Sequence, residues 1–422
     1  MRNRIRQLSI LCLALILLCG CKLNVGGYYP ATPVNNDPIR NVPDVDVPQY
    51  TLTLEGGAVV ANVDYVVNID ISGKDQVTIL NIADVQLKES DVKKNSEDYR
   101  FFLESTGRLI TQANPDLITM TGDQSANGST SVIQAVGEHI NSYNIPWAPV
   151  FGNHDCAYSG GNTLAKQAEV YHSFSECLFR DGPAGLNRVL ENGSDSLGNY
   201  VVNLVRITGD EFEVVRSLIF MNTGSTEKYR KSDYSGQRRY GNLWYACLNR
   251  NQIEWYKQMV SSVQPYGNGT PVKTGIVVHM PVFGYVYAAS AAMRIPADIY
   301  DTWLWVKGAK AISYEQSFRD DVWMPGYEDS YGVMHDEICG PPYDEGMFAA
   351  MKSTGVTDFI VAGHDHASNF NIRYDGINFV YGMKLGSTSY HDASMMGATV
   401  ITITTDGSDA DGSASFANIL DL

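Results

Sequence analysis

Five short clusters of residues able to hold a metal ion punctuate this chain, and each follows directly on an apolar, largely β-branched run: Asp84 with Gln86, Asp123, Asn153 with His154, His279, and His364 with His366. Taken singly, each has a plainer reading. Asp84 could cap a helix, Gly122-Asp123 could form a turn, and His279 after Ile276-Val277-Val278 could be a core histidine with a satisfied ring. Together they point to a site, because independent turns have no reason to choose Asp, Asn or His after every buried strand. Carboxylate, imidazole and amide oxygen are all groups that ligate cations, so the chemistry expected is that of a metal site. Asp155, beside His154, could orient that imidazole and favour its charged form or could cap a helix, and the two readings stand side by side. Nucleophilic side-chain catalysis is a weak competitor: the chain has no Gly-x-Ser-x-Gly elbow, and Cys156 has no evident role beyond packing or a disulfide.

Presenting these groups together requires strands that end side by side. Residues 77–83, 116–121, 146–151, 274–278 and 357–362 read as buried strands, with helical patterns such as 99–113 and 134–143 between them. The first part is therefore βαβ-like with parallel strands, and ligands collect at the carboxyl ends of such strands. Residues 196–222 predict a hairpin turning at Thr208-Gly209-Asp210. Residues 50–70 predict edge strands, and the runs holding Ile372, Val380, Val400, Ile401 and Ile403 predict closing strands. Residues 282–345, with Trp303, Trp305, Trp323, Tyr327 and Tyr331 but no clean periodicity, predict an insertion covering the site.

The local spelling, Ile82-Ala83-Asp84-Val85-Gln86, Gly122-Asp123-Gln124, Gly152-Asn153-His154-Asp155, Val278-His279 and Gly363-His364-Asp365-His366, resembles the calcineurin-like metallophosphoesterases. Gly198-Asn199-Tyr200, Gln252-Ile253-Glu254-Trp255, Asn369-Phe370 and Tyr381-Gly382 are similar to the branch holding the purple-acid-phosphatase-like phosphoesterases. The resemblance implies an α/β fold, a four-layer sandwich of two mixed β-sheets flanked by helices. It also implies two divalent or trivalent metal ions, Mn, Fe or Zn, with Asp123 bridging them. Asp84 and His366 would serve the first ion, Asn153, His279 and His364 the second, and His154 would be the outer-sphere acid, with Asp365 supporting its loop.

Two residues depart from the pattern. Gln86 stands where the family has histidine, so the first metal is expected to bind less tightly, or Gln86 to act through water. Ala126 stands where true purple acid phosphatases have tyrosine, so no iron–tyrosinate colour is expected. The implied reaction is hydrolysis of a phosphate monoester or diester by a two-metal-activated hydroxide, with His154 protonating the leaving oxygen. The alternative is a non-catalytic surface binding lipoprotein on the same scaffold.

Composition and the first residues complete the expectation. Forty-four per cent hydrophobic and 18% charged residues over 422 positions suit one large globular domain, taken as residues 50–422 and expected to be a monomer. The basic Arg2, Arg4 and Arg6, the apolar run 8–18 and Leu18-Cys19-Gly20-Cys21 read as an export signal over residues 1–20 ending in a lipobox-like sequence. Cys21 would then carry a lipid, residues 21–49 would be a flexible tether, and the domain would sit on the bacterial cell envelope facing outside the cytoplasm. Loss of the three arginines moves the formal charge from −16 to −19. That acidity argues against a bound nucleic acid but not against a phosphate-ester substrate, since bound cations reverse the local potential. Cys156, Cys177, Cys247 and Cys339 could form disulfides, with three pairings open, and lack the close spacing of a zinc knuckle. His391, Arg239 with Arg238, and His335 are candidate substrate contacts, whereas His139 and His172 read as structural.

Overall fold

The apolar runs become the central strands of two sheets. The computed structural model describes residues 49–156, 162–183, 186, 197–228, 243–246, 248–292, 326–327, 329–335, 338–341, 344–405 and 414–420. The anticipated leader, the lipidated Cys21 and all but the last residue of the tether lie outside these residues, as do Arg238, Arg239, Cys247 and the tryptophans of the expected insertion. In chain order the strands are β1 (Leu52–Glu55), β2 (Ala58–Ala61), β3 (Val66–Asp70), β4 (Gln76–Ile82), β5 (Leu117–Met120), β6 (Trp147–Pro149), β7 (Tyr200–Thr208) and β8 (Glu211–Phe220). They continue as β9 (Thr226–Lys228), β10 (Leu243–Tyr245), β11 (Lys273–Val277), β12 (Thr357–Ala362), β13 (Asn371–Tyr374), β14 (Ile377–Tyr381), β15 (Gly397–Thr404) and β16 (Ala414–Leu420).

One sheet has the order β16-β15-β4-β5-β6, parallel through β4, β5 and β6 and antiparallel at β15 and β16. The other runs β13-β14-β12-β11-β8-β7-β3, with β8, β11, β12 and β14 parallel. Both sheets are therefore mixed. The predicted hairpin is β7 and β8, turning where Gly209 takes φ 62°, and the predicted edge strand is β3, paired parallel to β7. Phe359 of β12 meets Phe416 of β16 at 5.5 Å, and Tyr200 of β7 donates its hydroxyl to Pro149 O of β6 at 2.8 Å, so the sheets stack. Their strand-end segments join directly where Leu385 N donates to Ala83 O at 2.9 Å.

Helices cover the outer faces. Glu97–Ala113 begins on Ser96, whose side chain accepts from Tyr99 N at 3.2 Å, carries Glu97 and Asp98 in its positive first turn, and ends on left-handed Asn114. Its buried residues Phe102, Ser105, Thr106, Leu109 and Ile110 recur at helical spacing and lay the helix against β4 and β15. Arg250–Val263 packs on β8, and Gln252 at its start donates to Asn199 Oδ1 (2.9 Å) and Asn222 O (2.8 Å). The Gly198-Asn199-Tyr200 and Gln252 motifs thus meet as a structural joint. Residues 284–292, inside the segment expected to be a cover, form a helix on β13 and β14 instead. Tyr285 at its start is fully buried and donates to Ile360 O and Val380 O, because a nearly unbroken apolar run has no polar face to turn outward. Cys177 is a free thiol.

A buried ion pair spans the larger sheet. Arg216 of β8 reaches across β11 to Asp358 of β12 in a bidentate pair of 2.6 and 3.0 Å, with the Arg216 side chain 1% exposed. Asp358→Ala leaves that guanidinium buried without its counter-ion. It is expected to cost about 3–5 kcal/mol of stability, seen in a urea titration as a lower midpoint at unchanged slope; a loss below about 1 kcal/mol would rank the pair with surface bridges.

Candidate metal centre

Every cluster singled out above sits at or just beyond the carboxyl end of a strand: Asp84 and Gln86 after β4, Asp123 after β5, Asn153 after β6, His279 after β11, and His364 and His366 after β12. The turns are tight enough to force unusual backbone. Asp84, Gln86, Asp123 and His364 all have positive φ (55°, 49°, 55° and 82°), a conformation costing side-chain-bearing residues about 1–3 kcal/mol each. The surrounding ladder enforces it, with Gln86 N donating to Asp123 O at 2.8 Å and Gly363 N to His279 O at 3.0 Å.

Glycines allow the turns to nest. A Cβ on Gly152 would lie 2.1 Å from Asp123 Oδ1, one on Gly122 2.6 Å from His279 Nδ1, and one on Gly363 2.8 Å from Asp84 Oδ2. The glycines before Asp123, Asn153 and His364 are therefore points of close approach between segments.

Oxygen and nitrogen atoms converge inside this nest. Asp84, Asp123 and His279, all buried, offer ligand atoms within 4.8 Å of one another. Asp123 Oδ1 accepts from His154 N at 2.8 Å, while Oδ2 accepts from Gln86 Nε2 at 2.9 Å and lies 3.4 Å from His279 Nε2. Asn153 Oδ1 is 2.9 Å from the same His279 nitrogen. Asp84 Oδ2 accepts from His364 N at 2.9 Å, and Oδ1 lies 3.5 Å from His366 Nε2.

The imidazoles share one device. Nδ1 of His279 is 2.7 Å from Thr121 O, that of His366 is 2.9 Å from Tyr390 O, and that of His154 is 3.0 Å from Ala126 O. A carbonyl can only accept, so Nδ1 carries the proton and Nε2 points at the cluster, as a metal-ligating histidine requires. For His279, Nε2 then faces two oxygens, which only a proton or a cation can satisfy. Burial pushes this imidazole down, but the Asp123 and Asp84 carboxylates outweigh it and raise it to about 9. His364 is driven the other way, to about 3, by burial and by neighbouring His279, so it keeps a free lone pair.

Among the buried atoms at the centre without a hydrogen-bond partner are Asp84 Oδ1 and His364 Nε2. Such groups cost about 1–3 kcal/mol each unless a ligand satisfies them, and oxygen and imidazole donors left open around two carboxylates fit a divalent ion. On one side Asp123, Asn153 and His279 converge, and His364 Nε2 is open. On the other side, Asp84 and His366 are poised, while Gln86 has turned its amide N–H to Asp123.

Asp155 turns its carboxylate to main-chain amides. Its carboxylate accepts from Asp123 N (2.9 Å), Gly152 N (2.9 Å) and Ser125 N (3.3 Å), so it ties the β5 and β6 turns together. Burial and the Asp123 charge push it up to about 7. Asp365 accepts from Cys339 N at 3.1 Å and from the Tyr381 hydroxyl, a supporting role. His391 is exposed with Nδ1 3.1 Å from Ser389 O, and His335 pairs with Asp392 at 2.9 Å. His139 packs edge-on to Phe102 and Tyr143, and His172 pairs with Asp181.

Sequence reasoning missed Tyr245, whose ring stands edge-on 4.4 Å from His364, and Lys384, which is 2% exposed beside Asp84 and Gln86. Burial lowers the Lys384 ammonium to about 8 against the pull of Asp84 and Asp123. Its signal was a lone cation in the otherwise uncharged Val380-Tyr381-Gly382-Met383-Lys384-Leu385. Gly152→Ala drives a methyl into the Asp123 carboxylate and is expected to cost about 1–3 kcal/mol of stability and to weaken metal binding. Urea unfolding and a metal titration check both, and unchanged metal affinity would mean Asp123 can shift without consequence.

Residues 77–368 match the family model described as calcineurin-like phosphoesterase. Probable inactive purple acid phosphatase 14 of Arabidopsis thaliana is 23% identical over 328 residues, covering 73% of this chain and 68% of that protein. Probable inactive purple acid phosphatase 28 of the same plant is 24% identical over 350 residues, covering 77% and 74%. A dimetal phosphatase from Danio rerio aligns in structure with TM-score 0.46 and 12% identity, over 82% of this chain and 96% of that one. The strand-end ligand motifs, the two mixed sheets and the match over residues 77–368 place this chain in the calcineurin-like phosphoesterase family, with purple-acid-phosphatase-like relatives.

Proposed function

We propose that the chain is a metal-dependent hydrolase of phosphate esters, exported and lipid-anchored at the bacterial cell envelope. The observation that carries the hydrolase reading is the approach of Asp84, Asp123 and His279 within 4.8 Å at strand ends belonging to both sheets. Asn153, His279 and His364 would hold one ion with Asp123, and Asp84 and His366 a second. Bound there, such ions would supply Lewis-acid polarisation of the phosphoryl group and a water of lowered pKa.

The chain's own residues do the rest. Asp123, buried and held by the amides of His154 and Gln86, keeps a fixed anion at the centre. His154, with Nδ1–H given to Ala126 O and a side chain 29% exposed, turns Nε2 toward the cluster 3.9 Å from Asp123 Oδ2. That is the place from which a proton can reach a leaving oxygen. Asp155 fixes the backbone that carries both.

Purified protein given Mn2+ or Zn2+ is expected to hydrolyse nitrophenyl phosphate or bis(nitrophenyl) phosphate, and a chelator should abolish the activity. His154→Ala should lower kcat by about a hundredfold to ten-thousandfold with metal content unchanged; absence of turnover with either ester and either metal would sink this reading. A second reading, a binding protein without turnover, is favoured by Gln86, whose amide is occupied by Asp123. Wild-type inertness together with activity in Gln86→His would select it.

Anchoring rests on the basic start, the apolar run 8–18 and the Gly20-Cys21 pair. Cys21→Ser is expected to shift the protein from the membrane fraction to the soluble exported fraction of a bacterial host, and persistence in the membrane would remove the lipid anchor from the proposal.

A further inference from the structure

The two halves of the centre are unequally equipped, and the difference lies in Lys384. Its main chain is fixed in the seam between the sheets, where Ala83 and Lys384 form a parallel bridge and Gly397 N donates to Lys384 O at 3.1 Å. From there Nζ donates to Asp84 O at 2.7 Å and reaches Gln86 Oε1 at 3.4 Å. The next turn gives the segment no room to withdraw, since a Cβ on Gly386 would lie 2.0 Å from Val85 O.

Gln86 completes the arrangement. Its Oε1 faces the ammonium and its Nε2 donates to Asp123 Oδ2 at 2.9 Å. The amide cannot be reversed without setting its NH2 against the ammonium and its oxygen against the carboxylate. Both of its polar atoms are therefore engaged within the protein, while the buried atoms left open include Asp84 Oδ1 and His364 Nε2. A cation is already built in beside Asp84, and a second divalent ion would leave two carboxylates facing an ammonium and two dications in a buried site.

We propose that Lys384, acting with Gln86, stands in for part of the charge of the ion expected between Asp84 and His366. The chain then holds one ion tightly, on Asp123, Asn153, His279 and His364, and a second only weakly. This rests on the metal-centre reading above and specifies how that centre fills. Lys384 is here a positioning and charge-balancing residue; it makes no contact with substrate in the argument.

The test is metal stoichiometry, read without any activity assay. Protein stripped with a chelator is titrated calorimetrically with Mn2+ and with Zn2+, and elemental analysis after dialysis gives the ions retained. The wild type is expected to retain one ion, with the second dissociation constant larger by at least roughly a hundredfold, since loss of even an outer-shell partner costs ten- to a hundredfold in affinity. Gln86→His and Lys384→Met should each narrow that gap, and the double variant should retain two ions. If Lys384→Met does not fold, judged by circular dichroism, the wild-type stoichiometry and the Gln86→His titration still decide. Two equally tight ions in the wild type, or no change of the gap in Gln86→His, would overturn the inference while leaving the hydrolase reading intact. No bound ion at all would overturn both.

Discussion

The Asp123 carboxylate is the anion around which three separate segments are organised. The turn after β6 gives it the His154 amide, the turn after β4 gives it the Gln86 amide, and β11 of the other sheet brings His279 Nε2 to 3.4 Å. A charge this deeply buried is tolerated only where donors or cations surround it. The strained backbone at Asp84, Gln86, Asp123 and His364 is the conformational cost of that convergence, and the surrounding strand ladders hold it in place.

The glycines make the same point from the steric side. Gly122, Gly152 and Gly363 stand where one turn lies almost in van der Waals contact with another, so each motif begins with the residue that lets its neighbour come close. The histidines add direction: backbone carbonyls of Thr121, Ala126 and Tyr390 hold Nδ1 and leave Nε2 to face inward. Orientation of the ligands is thereby built into the main chain, and side-chain partners such as Asp155 stabilise the turns rather than the rings.

The centre is electrostatically lopsided. On one side the Asp123 carboxylate meets His279, whose Nε2 it shares with Asn153 Oδ1; on the other it meets the Gln86 amide, whose oxygen faces the buried Lys384 ammonium. In the reading proposed above, that lopsidedness biases the centre toward one of its two cation positions. The bias comes from a charge outside the recognised motifs, which is why chemistry on this fold has to be argued from the site and not from membership in the family.

Much of the architecture was legible before any coordinates. The runs 77–83, 116–121 and 357–362 fell on Gln76–Ile82, Leu117–Met120 and Thr357–Ala362 because buried parallel strands are largely apolar, and 99–113 fell on the helix Glu97–Ala113 because its apolar residues recur at helical spacing. Residues 284–292 gave no periodic signal because their helix is apolar almost throughout and largely buried. The ligand set was likewise visible as types and positions. What the linear order could not contain was direction: that Gln86 gives its nitrogen to Asp123, that Asp155 serves main-chain amides, and that Lys384, 300 residues from Asp84, ends beside it. Residue type follows from local pattern and burial, so the sequence alone determined which groups could do chemistry. Partner choice depends on which distant segments the two stacked sheets bring within hydrogen-bonding distance, and only the tertiary structure decided that.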